Sequence, residues 1–144
     1  MNDSLNLKGT LKVTLSDNNG KVKEEHHFKN LIVDAGKSFV INALKASSTQ
    51  PFAYIAIGSG TTTPLGTQTA LQTEVARDTF TYVTTTASLT MTSIFAPGVG
   101  TGTITEAGIF NAASSGTMLS RTTFLAINKA STDQLTVVWT ITLS

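Results

Sequence analysis

The sequence predicts a mainly β fold, an antiparallel β-sandwich or barrel-like domain that carries one α-helix at about residues 35–46. Three observations carry that expectation. Apolar and polar residues alternate with period two in the first and last segments of the chain. Clusters of Gly, Pro, Asn and Asp interrupt it at short intervals, as turns between many short strands do. Only one segment repeats its apolar residues at helical spacing.

The elements follow in order. Leu5, Leu7, Gly9, Leu11, Val13 and Leu15 alternate with Asn6, Lys8, Thr10, Lys12 and Thr14, which sets the leucines on one face of a strand. Asp17-Asn18-Asn19-Gly20 is a hairpin turn, its Asn-Gly pair tolerating positive φ, and Lys21 to Phe28 returns antiparallel. Asn30 to Val33 is a short apolar strand. Asp34 then stands where its carboxylate caps a helix, in which Phe39, Val40, Ala43 and Leu44 share a face and which ends near Ala46-Ser47-Ser48. Phe52 to Ile57 reads as a buried strand, Gly58 to Gly66 as an irregular loop and Gln68 to Val75 as a short turn of helix. Strands are expected at about Asp78–Thr86, Ser88–Phe95, Thr103–Phe110, Met118–Ile127 and Gln134–Leu143. In the last of these, Leu135, Val137, Trp139, Ile141 and Leu143 form the apolar face, so Trp139 belongs to the core. Tyr54 and Tyr82 also read as mostly buried.

At 144 residues the chain has the size of one domain, 1–144, with an opening hairpin over 1–29 and the remainder over 30–144. A net charge of +1 provides no field to draw nucleic acid or an anionic membrane. No apolar run reaches the ~20 residues that span a bilayer, and the N-terminal residues lack the pattern of an export signal, so the chain reads as soluble and unexported. Without cysteine there are no disulfides and no thiolate ligands or nucleophiles.

Charge is unevenly distributed. Residues up to Lys45 are densely charged, but beyond Ala46 only Glu74, Arg77, Asp78, Glu106, Arg121, Lys129 and Asp133 remain among Thr, Ser, Gly and Ala. Free monomers carry about a quarter charged residues, so a surface this poor in ions is suited to being covered by other protein. The plainer alternative is a β domain that uses Thr on its solvent faces because Thr is a strong strand former.

No constellation argues for an enzyme. Gly36-Lys37-Ser38 resembles the end of a P-loop, yet the position of that motif's first glycine holds Leu31, and Asp34 sets a carboxylate where phosphates would sit. His26 and His27 point to opposite faces of a strand and cannot jointly hold a metal, leaving Glu24 beside one and Glu25 beside the other. Glu74 with Asp78 is the nearest approach to paired carboxylates, on what reads as a helical turn. The loops Gly58–Gly66 and Pro97–Gly102 hold neither carboxylates for calcium nor aromatic rings for sugars, and read as exposed contact segments for neighbouring subunits. No catalytic residue, cofactor, metal or small-molecule substrate is expected. Pairing Phe110 with Thr117 places Glu106 directly opposite Arg121, a structural cross-strand ion pair.

Three segments together resemble small structural proteins of tailed bacteriophages: Asn30-Leu-Ile-Val-Asp-Ala-Gly-Lys37; Tyr54-Ile-Ala-Ile-Gly-Ser-Gly-Thr-Thr-Thr-Pro64 with Thr69-Ala-Leu-Gln-Thr-Glu-Val-Ala-Arg77; and Gly98-Val-Gly-Thr-Gly-Thr-Ile-Thr-Glu-Ala-Gly-Ile-Phe-Asn111. The second is similar to the pattern IAIGxGTTxP…TALxxEVxR of phage tail-fibre and collar proteins, and the third to the segment ITEAGLFN that accompanies it. The resemblance spans roughly Asn30 to Ser144 and leaves the hairpin outside. It implies a non-enzymatic subunit of a virion, in tail fibre, collar, neck or capsid decoration, made in the host cytoplasm and acting through itself and other virion proteins. Glu74 and Arg77 fall on the charged positions of the pattern, which implies that they pin the loop after Gly58 to the sheet. A carbohydrate-binding module of a phage fibre is the alternative, and it requires exposed aromatic side chains.

Overall fold

The computed structural model describes residues 6–44 and 51–144, so the expected positions of Leu5 and of the helix end near Ala46 lie outside the described residues. Two antiparallel five-stranded sheets pack face to face as a β-sandwich. The first is built from β1 (Leu7–Ser16), β2 (Val22–Lys29), β6 (Thr81–Thr84), β7 (Ser88–Phe95) and β10 (Gln134–Leu143), in the order β2-β1-β10-β7-β6. The second contains β3 (Leu31–Ile32), β4 (Tyr54–Gly58), β5 (Glu74–Thr79), β8 (Gly102–Phe110) and β9 (Met118–Lys129), in the order β3-β9-β8-β4-β5. The helix α1 spans Asp34–Leu44.

The period-two pattern becomes the core. Leu11, Val13 and Leu15 of β1 and Leu135, Val137 and Trp139 of β10 point inward, onto Ile55, Ile57, Ala107 and Ile109 of the second sheet. Trp139 is fully buried and stands between Leu11 on β1 and Met91 on β7. Because β1 pairs with β10 along its whole length, from Leu7 opposite Leu143 to Ser16 opposite Gln134, the opening hairpin supplies two of the five strands of the first sheet and is not an appendage to the rest. In its turn Gly20 takes φ +81°, and the Asp17 carboxylate accepts from the backbone N–H groups of Asn19 and Lys21, each at 2.9 Å.

The outer face of the second sheet is also covered. Val33, Ala56, Leu71, Phe110 and Met118 form a second apolar cluster beneath α1 and the 59–73 segment. Gly36 permits this. A Cβ there would come within 2.8 Å of the Leu119 Cα on β9, so the glycine of Gly36-Lys37-Ser38 serves close helix-to-strand packing.

Four expectations are corrected. Gln68–Val75 holds no helix: Glu74 opens β5, whose pairing with β4 overrides local propensity. The strand expected over Asp78–Thr86 is two strands, because the chain changes sheet at Phe80, whose N–H donates to the Ala53 carbonyl at 3.0 Å. That crossing delivers Tyr82 to the edge of the first sheet, where it is 67% exposed and not buried. Asp34 lies one residue inside the helix: the first helical bond runs from the Lys37 N–H to the Val33 carbonyl, 3.1 Å, so Val33 holds the capping position. Asp34 is then a first-turn acid beside the positive helix end, 3.7 Å from Lys37 Nζ.

Gly36→Ala is expected to lower the unfolding free energy by about 1–3 kcal/mol through overpacking against Leu119. Urea denaturation followed by Trp139 fluorescence checks this, and an unchanged midpoint refutes the packing role.

Candidate functional site

The densest polar constellation lies on the outer face of the second sheet, beneath the 59–73 segment. Glu106 and Arg121, both 0% exposed, join through Arg121 Nη2 at 2.7 Å and Nε at 2.9 Å, both to Glu106 Oε2. Their side chains share a face, but the register differs from the one expected. Arg121 pairs with Gly108 and Glu106 with Thr123, because the connection sets Phe110 opposite Met118 and an irregularity between Ile109 and Phe110 shifts the ladder by a further residue. The two therefore meet on a diagonal, a separation that long side chains bridge.

Glu106 receives more than Arg121. Its Oε1 accepts from the backbone N–H groups of Gly60 at 3.0 Å and Thr73 at 2.7 Å, and its Oε2 from that of Gln72 at 3.0 Å. Arg121 Nη1 donates to the Thr62 carbonyl at 2.8 Å and to Gln68 Oε1 at 3.0 Å. Gln72 Oε1 accepts from the N–H groups of Thr61 and Thr62, and Thr105 Oγ1 donates to the Gly60 carbonyl at 2.8 Å. A Cβ on Gly60 would lie 2.6 Å from Glu106 Oε1, so only glycine lets the backbone reach the carboxylate. Burial raises the Glu106 pKa, but the hydrogen bonds from Thr73, Gln72, Arg121 and Gly60 outweigh it and hold the carboxyl below its ordinary value of 4.5.

Loop pinning thus belongs to Glu106 and Arg121, which corrects the role expected of Glu74 and Arg77. Those two form a forked ion pair, Nη2 to Oε1 at 2.6 Å and Nε to Oε2 at 3.0 Å. Arg77 Nη1 donates instead to the carbonyls of Ala112 and Ser115, and its guanidinium lies 3.8 Å from the centre of the Phe110 ring. The pair secures the β8–β9 connection. The Gly58–Gly66 loop, expected to be an exposed contact segment, is engaged from within at Gly60 and Thr62.

A second buried polar cluster joins Lys129, Asp133 and Lys23. Lys129, 2% exposed, donates through Nζ to the carbonyls of Asp133 at 2.7 Å and Ala96 at 3.0 Å. Asp133, 1% exposed, accepts from Lys23 Nζ at 2.9 Å and from the Ala130 N–H at 2.9 Å. Desolvation lowers the Lys129 pKa against the opposing pull of Asp133, whereas the bond from Lys23 and then that from Ala130 hold Asp133 below its usual range. The spacing Lys129-x3-Asp133 around a turn was the only sequence signal, and it reads equally as a solvated loop. Gln68 and Gln72 were missed because a lone glutamine carries no pattern.

Elsewhere His26 lies 3.6 Å from Glu24 and His27 3.4 Å from Glu25, on opposite faces of β2. Among the described residues no group of three His, Cys, Asp or Glu is placed to hold a metal ion. The outward face of the first sheet has two halves. Lys8, Lys12, Glu25, His27 and Lys29 occupy β1 and β2, while Thr136, Val138, Thr140, Thr92, Ile94 and Val83 occupy β10, β7 and β6. Comparison of the chain with protein-family models, curated proteins and solved structures finds no match.

Replacing Glu106 by Gln, which aims an amide donor at groups that are themselves donors, is expected to cost about 3–5 kcal/mol. Amide exchange should accelerate first at Gly60, Gln72 and Thr73. Uniform loss of protection across both sheets would refute a loop-specific role. Because the native pKa of Glu106 is lowered, its contribution is complete above pH 4.5 and fades as pH falls below that toward the native value. The stability gap between wild type and E106Q, measured by denaturant titration at stepped pH, should therefore narrow below pH 4.5.

Proposed function

We propose that the chain is a non-enzymatic structural subunit of a tailed-phage virion, acting by self-association and by docking on other virion proteins. The observation that carries this reading is where the scarce ions go. Of the seven charged residues after Ala46, four are buried: Glu106, Arg121, Lys129 and Asp133. Arg77 is engaged with Glu74 and two loop carbonyls. The surface built by this part of the chain is therefore poorer in charge than the residue count alone implies. Val83 is 70% exposed and Ile94 49%, beside threonines of the same sheet face. Such a surface supports burial against protein, in interfaces on the order of 1,200 Å² or more.

Glu106 supports a structural role as well. Both of its oxygens are occupied by donors from the fold, which leaves no lone pair directed at a substrate. The resemblance of Tyr54–Pro64, Thr69–Arg77 and Gly98–Asn111 to phage tail proteins directs the reading to a virion.

The alternative, a host-carbohydrate module, draws on the exposure of Tyr82 beside a cleft of about 570 Å³. That cleft is lined by Phe39, Phe52, Phe80 and Leu89, an apolar wall with little to hydrogen-bond a sugar.

Mass spectrometry of purified phage particles from cells that carry the gene should recover the chain in fixed ratio to the other structural proteins. Recovery only from the particle-free lysate overturns the proposal.

A further inference from the structure

We infer that β6 is a self-pairing edge, through which two copies of the chain join their first sheets about a two-fold axis at Val83. The inference rests on the structural-subunit reading and names the surface that reading requires.

Exposed sheet edges invite strand addition, and proteins blunt them with charge, short length or bulges. Among the described residues the two sheets present four edges, and three are blunted. The edge strand β2 carries Lys23, Glu24, Glu25, His26, His27 and Lys29. The edge strand β3 has only two residues. The edge strand β5 carries Glu74, Arg77 and Asp78 and a register shift at Gly58. Of the edges longer than two residues only β6, Thr81-Tyr82-Val83-Thr84, has neither charge nor proline, and all four of its residues are exposed.

The backbone of β6 specifies what can add to it. Thr85 N–H donates to the Ser88 carbonyl at 2.9 Å. Antiparallel alternation then puts Val83 and Thr81 in bonded pairs with Thr90 and Thr92, and turns the N–H and C=O groups of Tyr82 and Thr84 away from β7. The Phe80 N–H, next in that outward series, already donates to the Ala53 carbonyl. The ladder therefore continues outward with Tyr82 and Thr84 as its open rungs.

A second copy fits them. With the axis at Val83, Tyr82 of each chain meets Thr84 of the other, and both pairs exchange two backbone bonds. Val83 then faces Val83 on the outward surface, and each Tyr82 stays on the side of the apolar cleft lined by Phe80 and Leu89. Pairing β6 with any other edge of a second copy would set uncharged residues against ions or against a two-residue strand. Only the β6-to-β6 contact is matched on both sides, and being isologous it closes after two copies.

Sedimentation equilibrium of the full chain tests this. The wild type should show a concentration-dependent mass of twice 15.1 kDa. Val83→Lys, which sets like charges across the axis, should weaken dimerisation at least tenfold, and mixing V83K with V83E should restore it. Thr84→Pro, which deletes an outward N–H, should also weaken it. Leu125→Lys, at a position 87% exposed on β9, should change nothing. Circular dichroism verifies that each variant is folded, and V83K, at an open position, keeps the test decisive if T84P is not. A wild type that stays monomeric at millimolar concentration overturns the inference, as does a dimer with unaltered affinity in V83K. Either failure leaves the particle measurement untouched, while absence from particles alongside a Val83-dependent dimer would sink the virion reading and keep this interface.

Discussion

One carboxylate organises the second sheet's outer layer. Glu106 is fully buried and receives five N–H donors, three from the backbone of the 59–73 segment and two from Arg121. A buried ion pair of this kind adds little net stability, since desolvation roughly cancels attraction. What it determines is conformation. The segment has no regular structure to satisfy its own amides, so its path follows the positions of the two carboxylate oxygens and the Arg121 fork. Downstream, Leu71 seats on Ala56 and Phe110, and the Gly66 carbonyl accepts from the Asp34 N–H at 2.8 Å where the helix begins. The helix, the loop and the second apolar cluster are thus held in relation to one polar anchor.

The molecule divides its ionic and hydroxyl chemistry in an unusual way. Ions beyond residue 46 work mostly inside, at Glu106–Arg121 and around Lys129 and Asp133, where they hold loops to sheet ends. The outward half-face of β10, β7 and β6 is left to Thr, Val and Ile. That division separates a fold whose uniqueness comes from buried charge from a surface whose character comes from the lack of it. Solvation of the monomer rests on the hairpin, where Lys12 with Glu25 and Glu25 with His27 remain in water.

Much of this was legible from residues alone. Strict alternation in β1 and β10 disclosed both strands, their inward faces and the burial of Trp139, because a one-residue slip would expose every apolar side chain. The helix was legible from spacing and the hairpin from its turn. Boundaries failed where pairing, not periodicity, decides: Glu74-Val75-Ala76-Arg77 alternates poorly and becomes a strand only because β4 has an edge to fill. The change of sheet at Phe80 leaves no compositional trace, so the sequence pattern alone puts Tyr82 in the interior. Counting across the Asn111–Gly116 connection identified Glu106 and Arg121 as partners but not their offset, since a bulge is invisible to arithmetic on residue numbers. The three amides that complete the site were out of reach for a different reason: backbone donors have no letter in a sequence.

The pairing of β1 with β10 constrains how the chain reaches its native state. Leu7 to Ser16 are made well before their neighbours on one side, Gln134 to Leu143, from which eight intervening strands separate them. Closing so long a loop is slow. During synthesis the hairpin therefore waits with Leu11, Val13 and Leu15 uncovered, and the cooperative sheet forms only once β10 emerges. Nascent chains in that interval are exposed to capture by chaperones or by one another, and the dense lysines and glutamates of β2 then guard the flank that is already complete.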